Sequence, residues 1–430
     1  MSATGVFTVA SGNPQSDGVA VGDFASVFPD GSTVTPFVGR VTARSTTTIT
    51  VSTTAKAGTS PTDGTGNRTL KIGGAWAGPS GTSGFPLSFM QNTLINGTDA
   101  PRVNFKNDQT YSVTAAISSS SSGCVFSGYS SSYGDRGRGI LDGGTSGASY
   151  VVLNFSGTAA ALTDFEIRNN GATGSASLLQ VSGNRQVYQN LWVHDSCGYA
   201  VDTPSATTVH FENVEVSGGN LNNNAGKGGG SFSGTMLGCV IRDNAGSNST
   251  GVTIGGGNVI LTMCNCVVEA NGSHGLLTVS NSGLLVCNCV FHNNGGSGIA
   301  ASTSSTRVST VNCVFSSNGA YGINNGTGGG LLSSLNSAFY NNTSGQTAVA
   351  STSIGLISGS ITLSADPFVD AANGNFALNT TAGGGAALRA AGYGTLPSAG
   401  YSSSTVGYPD VGAAQHLEAA AFSATGRVIG

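Results

Sequence analysis

Charged residues are scarce in this sequence, with 16 Lys and Arg and 20 Asp and Glu among 430 residues. No dense basic cluster occurs among them, which argues against nucleic acid or an anionic membrane surface as a partner. The sequence also lacks an apolar run near the length of a transmembrane helix, and its start, "MSATGVFTVASGNPQSDG", lacks the basic and apolar parts of a signal peptide. We therefore expect a protein made in the cytoplasm, without membrane insertion, that leaves the cell only by lysis or dedicated export.

Proline is also scarce, with 11 residues, whereas glycine is abundant, with 67. A hydrophobic fraction of 38% is ordinary, so the chain can bury a core and disorder is a poor interpretation. Its polar residues are mainly Ser, Thr, Asn and Gly, which suit turns and extended strands better than helices. The composition therefore predicts an ordered protein built from strands and turns.

The eight cysteines do not resemble the disulfide framework of a small secreted domain, because the chain is long and carries no export signal. Two C-x-C pairs occur, and strand alternation predicts that both members of a pair face the same side. Zinc favours C-x-x-C or nearby histidines, so we expect neither a metal nor another cofactor. We predict that the cysteines are buried, reduced and act as small apolar side chains, with stacked disulfides or a metal site as the alternatives. The cysteines predicted to have this structural role are Cys239, Cys264, Cys266, Cys287, Cys289 and Cys313.

A repeat dominates the middle of the chain, as "NCVVEANGSHGL", "NCVFHNNGGSGI" and "NCVFSSNGAYGI" show. Its copies start 23 to 27 residues apart, at Asp164, Asn190, Asn213, Gly238, Asn265, Asn288, Asn312 and Asn336. This length suits one turn of a coil with three short strands and three corners. The residues one and three places after each start are mostly apolar and are predicted to line the core.

Asparagine recurs six residues after most repeat starts, at Asn170, Asn244, Asn271, Asn294, Asn318 and Asn342. Asparagine tolerates the left-handed backbone region, and its amide can bond to the same amide one coil away. We predict a corner with a stacked asparagine ladder.

Stacked parallel coils of this kind resemble the right-handed parallel β-helix of the pectate-lyase-like superfamily, which includes polysaccharide lyases, glycosidases and phage tailspikes. The resemblance implies an all-β, single-stranded right-handed parallel β-helix with coils of about 25 residues. It also implies a capping helix, for which "SGFPLSFMQNTLINGT" is suitable, and a closing segment resembling "DPFVDAANGNFAL". The predicted domains are an N-terminal β module for attachment or capping (1–80), the capping helix (81–100), the coils (101–345), and final coils with a C-terminal cap (346–430).

An outward position two residues after the repeat start becomes apolar in the later coils, at Val240, Val267, Val290, Val314 and Ala338. An apolar stripe of this kind is expected to be covered. Either the chain's own loop or C-terminal segment covers it, or another protomer does, in which case these residues are interface candidates. Tailspike β-helices commonly form trimers, so the resemblance favours a homotrimer.

The same outward column begins with Glu166, Trp192 and Glu215. Two carboxylates two coils apart, with a tryptophan between them for a sugar ring, are the residues an inverting glycosidase would use, so Glu166 and Glu215 are the catalytic candidates. Charged residues on a solvent face are also common without any catalytic role. The glycan-binding candidates are Trp192, His194, Asp195, Arg168, Arg242 and Asp243.

The acidic calcium ligands of a lyase and the aspartates with Gly-His-Gly of a polygalacturonase are not recognisable, since "GSHG" has Ser273 where that motif has Gly. We therefore predict a virion structural component of a bacteriophage: a tail spike, fibre or capsid-surface appendage. It would contact other virion proteins and bind a host surface polysaccharide, and it is more consistent with a binding protein than with an enzyme. The alternatives are a polysaccharide-degrading glycosidase or lyase, and an adhesin or filament subunit at the bacterial surface.

Overall fold

A computed structural model gives the structure of the chain. It describes residues 5–10, 12–15, 19, 21, 24–29, 37–52, 68–72, 75–77, 102–107, 110–120, 122–130, 135–203, 209–219, 230–231, 233–244, 246, 248–254, 259–279, 282–302, 306–326, 330–389, 391–392 and 410–413. The chain forms two compact units, 1–210 and 211–430. Within the described ranges the structure contains strands and two short 3-10 helices but no α-helix, and nothing that could span a membrane as a helix.

The first unit begins with a five-stranded antiparallel sheet in the order β1-β4-β3-β2-β5. Its strands are β1 (Val6–Thr8), β2 (Phe24–Pro29), β3 (Phe37–Arg44), β4 (Thr48–Val51) and β5 (Arg68–Ile72). Alternating residues such as Val27, Val41 and Val51 bury a small core of their own. This sheet lies within the range predicted as an N-terminal β module, whose attachment or capping role stays a prediction.

The rest of the first unit consists of coils whose strands pair in parallel with the strands of the next coil. These strands are β6 (Ala75–Ala77), β7 (Arg102–Lys106), β8 (Thr110–Ser112), β9 (Ile117–Ser119), β10 (Val125–Tyr129), β11 (Gly139–Asp142), β12 (Leu153–Phe155), β13 (Ala161–Arg168), β14 (Leu179–Val181), β15 (Gln186–His194) and β16 (Val201–Asp202). One face of the coil carries β9, β12, β14 and β16 in parallel order. The predicted capping helix (81–100) lies outside the described residues.

The second unit continues with three strands per coil in three parallel ladders; the strand β17 (Val209–Ser217) contains the boundary between the units. The first ladder has β19 (Gly234–Leu237), β22 (Ile260–Cys264), β25 (Gly283–Cys287), β28 (Arg307–Val311), β31 (Leu331–Leu335) and β34 (Ile354–Ser358). The second has β20 (Val240–Arg242), β23 (Val267–Glu269), β26 (Val290–His292), β29 (Val314–Ser316), β32 (Ala338–Tyr340) and β35 (Ile361–Thr362). The third has β18 (Gly230–Ser231), β21 (Val252–Ile254), β24 (Leu276–Thr278), β27 (Ile299–Ala301), β30 (Tyr321–Asn325) and β33 (Gly345–Val349).

The strand register follows the repeat, since Val268 pairs with Phe291, Phe291 with Phe315, and Phe315 with Phe339. The rings of Phe291 and Phe315 stack at 5.2 Å, and those of Phe315 and Phe339 at 5.3 Å. All-β parallel coils were predicted as the fold class, and the structure confirms them. The core lies inside the coil, along the columns predicted from the repeat.

The buried asparagines six residues after the repeat starts form a ladder in the second unit. The Nδ2 groups of Asn244, Asn271, Asn294 and Asn318 each donate to the Oδ1 of the asparagine one coil further on, at 2.7, 2.9, 3.0 and 2.8 Å. These ladder asparagines do not have the left-handed backbone conformation that we expected at the corner. Positive φ angles occur at the repeat start, as at Asn265, and five residues later, as at Asn293. The side-chain amides at the ladder position therefore bond between coils, while the bends are made by their neighbours.

The C-terminal segment covers most of the apolar stripe. It contains the antiparallel strands β36 (Phe368–Asp370) and β37 (Asn375–Leu378) and the 3-10 helices Ala371–Asn373 and Gly385–Ala387. Val290, Val314 and Ala338 are fully buried, and Val267 partly, against a cluster that includes Phe368, Phe376, Leu378, Leu388, Val411 and Ala413. The stripe is thus covered by its own chain, and its interpretation as a protomer interface is wrong for these residues.

The cysteines within each C-x-C pair face different sides of the coil, which corrects the prediction from alternation. The residue between the two cysteines of each pair, Asn265 or Asn288, has a left-handed backbone with a φ angle of 54° or 51°. The chain turns at this residue from one strand towards the next. Cys266 and Cys289 consequently enter the core, together with Cys239 and Cys313. Cys264 and Cys287 lie on the outer side, where Cys264 is half-buried. All eight cysteines are free thiols.

Candidate functional site

A cleft of about 430 Å³ lies in the second unit between the coils and the C-terminal segment. Its coil side is lined by Glu215, Arg242 and Glu269, which come from three consecutive coils. Parallel pairing places Glu215 opposite Val240, and Arg242 opposite Glu269. The opposite side of the cleft is formed by residues 373–377 and Ala413.

Arg242 joins the acidic groups along the cleft. Its Nε and Nη2 donate to Oε1 of Glu215 at 3.0 and 2.8 Å, and its Nη1 donates to Oδ2 of Asp243 at 3.2 Å. The hydrogen bond to Glu215 raises the pKa of the Arg242 guanidinium above its ordinary value. Side-chain exposures of 41% for Arg242 and 30% for Glu215 leave both groups accessible to a ligand.

Glu269 differs from Glu215 because it is buried, with 8% of its surface exposed. Burial raises the pKa of Glu269 to about 7, the negative charges of Asp243 and Glu215 add to this effect, and Arg242 opposes it. A carboxyl group in this state is protonated below neutral pH and donates a hydrogen bond instead of carrying a charge. The cleft therefore combines a protonated carboxylic acid with a carboxylate held by an arginine.

This combination is suited to acid and base chemistry, since a pair of carboxyl groups in different environments can hold and accept a proton at the same pH. It is equally suited to binding sugar hydroxyls, for which carboxylates accept and guanidinium groups donate hydrogen bonds. Within the described residues, no group of three or more His, Cys, Asp and Glu side chains is arranged to hold a metal ion.

A second polar cluster lies in the first unit and contains the other predicted site residues. Arg168 donates to Asp142 at 2.9 Å and to Glu166 at 2.8 Å. His194 contacts Glu166 through Nε2 at 3.4 Å and Asp195 through Nδ1 at 2.8 Å. These side chains bind one another within the cluster.

Trp192 is the aromatic residue predicted to stack on a sugar, and in the structure its ring stacks on His194. The two ring centroids are 3.9 Å apart, with an interplanar angle of 23°. One face of the indole is thus already in contact with a neighbouring side chain of its own unit.

The predicted site residues consequently divide between the units. Glu166, Arg168, Trp192, His194 and Asp195 belong to the first, and Glu215, Arg242 and Asp243 to the second. Each predicted catalytic glutamate has its own arginine, Arg168 for Glu166 and Arg242 for Glu215.

Glu269 was not among the site residues predicted from the sequence. The signal available in the sequence is its register, since it lies one coil after Arg242 at the same position of the repeat. The C-terminal segment, which forms the other side of the cleft, begins about a hundred residues later and follows no repeat.

Comparison with known proteins was made for sequence and for structure. Residues 151–344 match a family model described as a right handed beta helix region. The crystal structure of pectate lyase Pel9A is similar over 78% of this chain and 93% of that chain, at 15% identity and a TM-score of 0.58. The chain has the right-handed parallel β-helix fold.

Two further β-helix neighbours are less similar, each with a TM-score of 0.36. The catalytic domain of GH87 α-1,3-glucanase in complex with nigerose covers 84% of this chain and 92% of its own, at 11% identity. The ORF18 protein of Geobacillus virus E2 covers 66% of this chain and 59% of its own, at 15% identity. A search of curated sequences found no match. The comparisons establish the β-helix fold, as the sequence predicted.

Proposed function

We propose that this β-helix is a glycan-binding surface component of a bacteriophage particle, and that it binds a host polysaccharide in the cleft of the second unit. The particle component would be a tail spike, fibre or capsid-surface appendage, in contact with other virion proteins and assembled as a homotrimer. Because a fold of this kind supports many activities, the proposal rests on the site and not on the fold.

The observation that carries the proposal is the set of accessible charged groups along the cleft. Arg242 and Glu215 present a donor and an acceptor side by side, and Asp243, with 56% of its side chain exposed, adds a further acceptor next to Arg242. Ligand sites commonly combine such convergent polar groups with an apolar wall, which Val240, Val267 and Phe376 supply here.

The placement on a phage particle is supported by the composition. The polar residues of the chain are mainly Ser, Thr, Asn and Gly, and only 8% of all residues are charged. The separate antiparallel sheet of β1 to β5 is suited to attachment, since it has its own core. Labelling of purified particles with antibodies against this chain would test the placement, and particles that remain unlabelled would contradict it.

The binding proposal is tested by titrating the full chain with a panel of defined neutral and acidic oligosaccharides in a calorimeter. Arg242→Gln removes charged hydrogen bonds and should weaken binding by about ten- to hundredfold. The matched control is Arg307→Gln, because Arg307 is exposed on β28 outside the cleft and its loss should leave binding unchanged. Equal binding by wild type and Arg242→Gln, or no binding across the panel, would contradict the proposal.

A second candidate function, glycoside hydrolysis at the same cleft, is favoured by the different states of Glu269 and Glu215. Glu269, with a pKa of about 7, can still hold a proton near neutral pH, whereas Glu215 pairs with Arg242. Their strand positions are two coils apart, about 9 to 10 Å along the coil axis, and inverting glycosidases hold their carboxyl groups at comparable separations. In this mechanism Glu269 would protonate the departing sugar oxygen, and Glu215 would take a proton from the attacking water.

The two candidates make different predictions for Glu269→Gln. If the cleft hydrolyses glycans, this variant should lose reducing-end release from a bound oligosaccharide while retaining its affinity. If the cleft only binds them, neither wild type nor variant should release reducing ends. Release that persists in Glu269→Gln would exclude the assigned acid.

A further inference from the structure

The outer cysteines of two neighbouring coils lie side by side in the second unit. Cys264 ends β22, Cys287 ends β25, and the two residues are direct partners in the parallel ladder. Adjacent strands are about 4.8 Å apart, so the Cα atoms lie within the range of roughly 4.4 to 6.8 Å that a disulfide spans. Direct partners in a parallel ladder point their side chains to the same face of the sheet, so the two sulfur atoms lie on the same side.

We propose that Cys264 and Cys287 form an oxidation site that closes to an inter-coil disulfide in the presence of a small-molecule disulfide such as oxidised glutathione. The bond would tie the coil that carries Glu269 to the coil that follows it. This role is independent of the glycan-binding proposal.

Cys264 is the cysteine that an oxidant would reach. It is half-buried, while each of the other seven cysteines is buried. The interaction between the two thiols lowers the pKa of Cys264 and raises that of Cys287, which favours the thiolate at Cys264. Thiolate character and access together decide which thiol attacks a disulfide.

The reaction proceeds in two exchanges. The Cys264 thiolate attacks one sulfur of oxidised glutathione, which forms a mixed disulfide and releases one glutathione thiolate. The Cys287 thiol then loses its proton, and its sulfur attacks Sγ of Cys264, which releases the second glutathione. The protein loses two protons and two electrons in total, and one glutathione disulfide is reduced to two thiols.

The inner cysteines are close to one another as well, but they are shielded. The backbone N–H of Cys266 lies 3.4 Å from Sγ of Cys289, and both residues are fully buried. Their thiols donate to the carbonyl groups of Cys264 and Cys287 at 3.3 and 3.2 Å. Since no oxidant can reach this column in the folded protein, the proposal is specific for the outer pair.

The experiment treats the folded full chain with oxidised glutathione, stops exchange with acid, denatures the protein, and labels free thiols with N-ethylmaleimide. All eight cysteines should be labelled before treatment, and two fewer afterwards. A non-reducing digest should then contain one linked peptide pair that carries Cys264 and Cys287. The oxidised protein should also unfold at a higher temperature than the reduced protein, because the cross-link restricts the unfolded chain.

The variant Cys264→Ser should show no linked pair and no treatment-dependent rise in unfolding temperature. The control Cys197→Ser, which alters a buried cysteine of the first unit, should keep both. Complete labelling of treated wild type, a lasting glutathione adduct at Cys264, or a link between Cys266 and Cys289 would each overturn the proposal. The wild-type measurements decide the question even if a variant folds poorly.

Discussion

Replacement of Glu269 by glutamine is expected to remove a pH dependence of stability that the buried carboxyl creates. The pKa of Glu269 rises from its ordinary 4.5 to about 7 in the folded chain. Between these values the unfolded chain has lost the proton and the folded chain still holds it. Stability falls with rising pH wherever the folded state binds more protons, so the contribution of Glu269 is lost progressively from about pH 4.5 to about pH 7.

The size of the effect follows from the two pKa values. The difference between 4.5 and about 7 corresponds to about 3 kcal/mol, at roughly 1.4 kcal/mol for each pH unit. Below about pH 4 both states are protonated, and above about pH 8 both are ionised, so the effect is confined to the interval between them. The amide of Glu269→Gln has no charge to bury at any of these pH values.

The assay is equilibrium urea unfolding of wild type and Glu269→Gln at intervals from about pH 4 to about pH 8, compared as a difference at each pH so that other titrating groups cancel. The difference in free energy of unfolding should move by about 3 kcal/mol in favour of the variant as pH rises. Glu212→Gln, at a glutamate of β17 that does not line the cleft, should follow wild type. Parallel curves for wild type and Glu269→Gln would refute the assignment of a buried, protonated Glu269.

Three further predictions concern the ladder, the cap and the assembly. Asn294→Ala removes the side-chain hydrogen bonds to Asn271 and Asn318, at 2.9 and 3.0 Å, and leaves buried polar groups unpaired. The free energy of unfolding in urea should fall by about 3 to 6 kcal/mol, and a loss below about 1 kcal/mol would contradict the ladder's role. Val314→Ala leaves a cavity beneath the C-terminal segment, so the free energy of unfolding should fall by about 2 kcal/mol and proteolysis of that segment should become faster. Unchanged stability and unchanged cleavage would argue against tight packing there. Light scattering of the purified chain should give three times the mass of 42.5 kDa, and a monomer would contradict the proposed trimer.

The repeated part of the fold was accessible from sequence because each coil buries the same positions. Phe291, Phe315 and Phe339 occupy one column in the sequence and one stacked row in the structure. Parallel strands in register place each residue above its repeat equivalent, so a period read from the sequence converts directly into neighbours in space.

The C-x-C pairs show where such local reasoning fails. Strand alternation holds only while the backbone stays extended, and the left-handed Asn265 reverses the facing between Cys264 and Cys266. Asparagine's tolerance of this conformation was known from its chemistry, but the residue in each repeat that adopts it was not apparent from the pattern.

The candidate site was harder to foresee because its cleft lies between the coils and a segment that is distant in the sequence. Glu269 occupies the same position of the repeat as the accessible Arg242, one coil later. Residues 373–377 lie across the cleft from both. Burial raises the pKa of Glu269, and no local pattern around Glu269 predicts that burial.

The amino-acid sequence alone is enough to identify the strand period, the core columns, the asparagine positions and an apolar stripe that had to be covered. These features depend on interactions that repeat between neighbouring coils, so one period contains the information for all of them. The three-dimensional structure was needed to show that the chain's own C-terminal segment covers the stripe and that Glu269 is buried beside the cleft. These two features involve segments far apart in the chain, where no periodic pattern exists. The structure was also needed to show that Cys264 and Cys287 lie on the same outer side, because that depends on the left-handed backbone at Asn265 and Asn288.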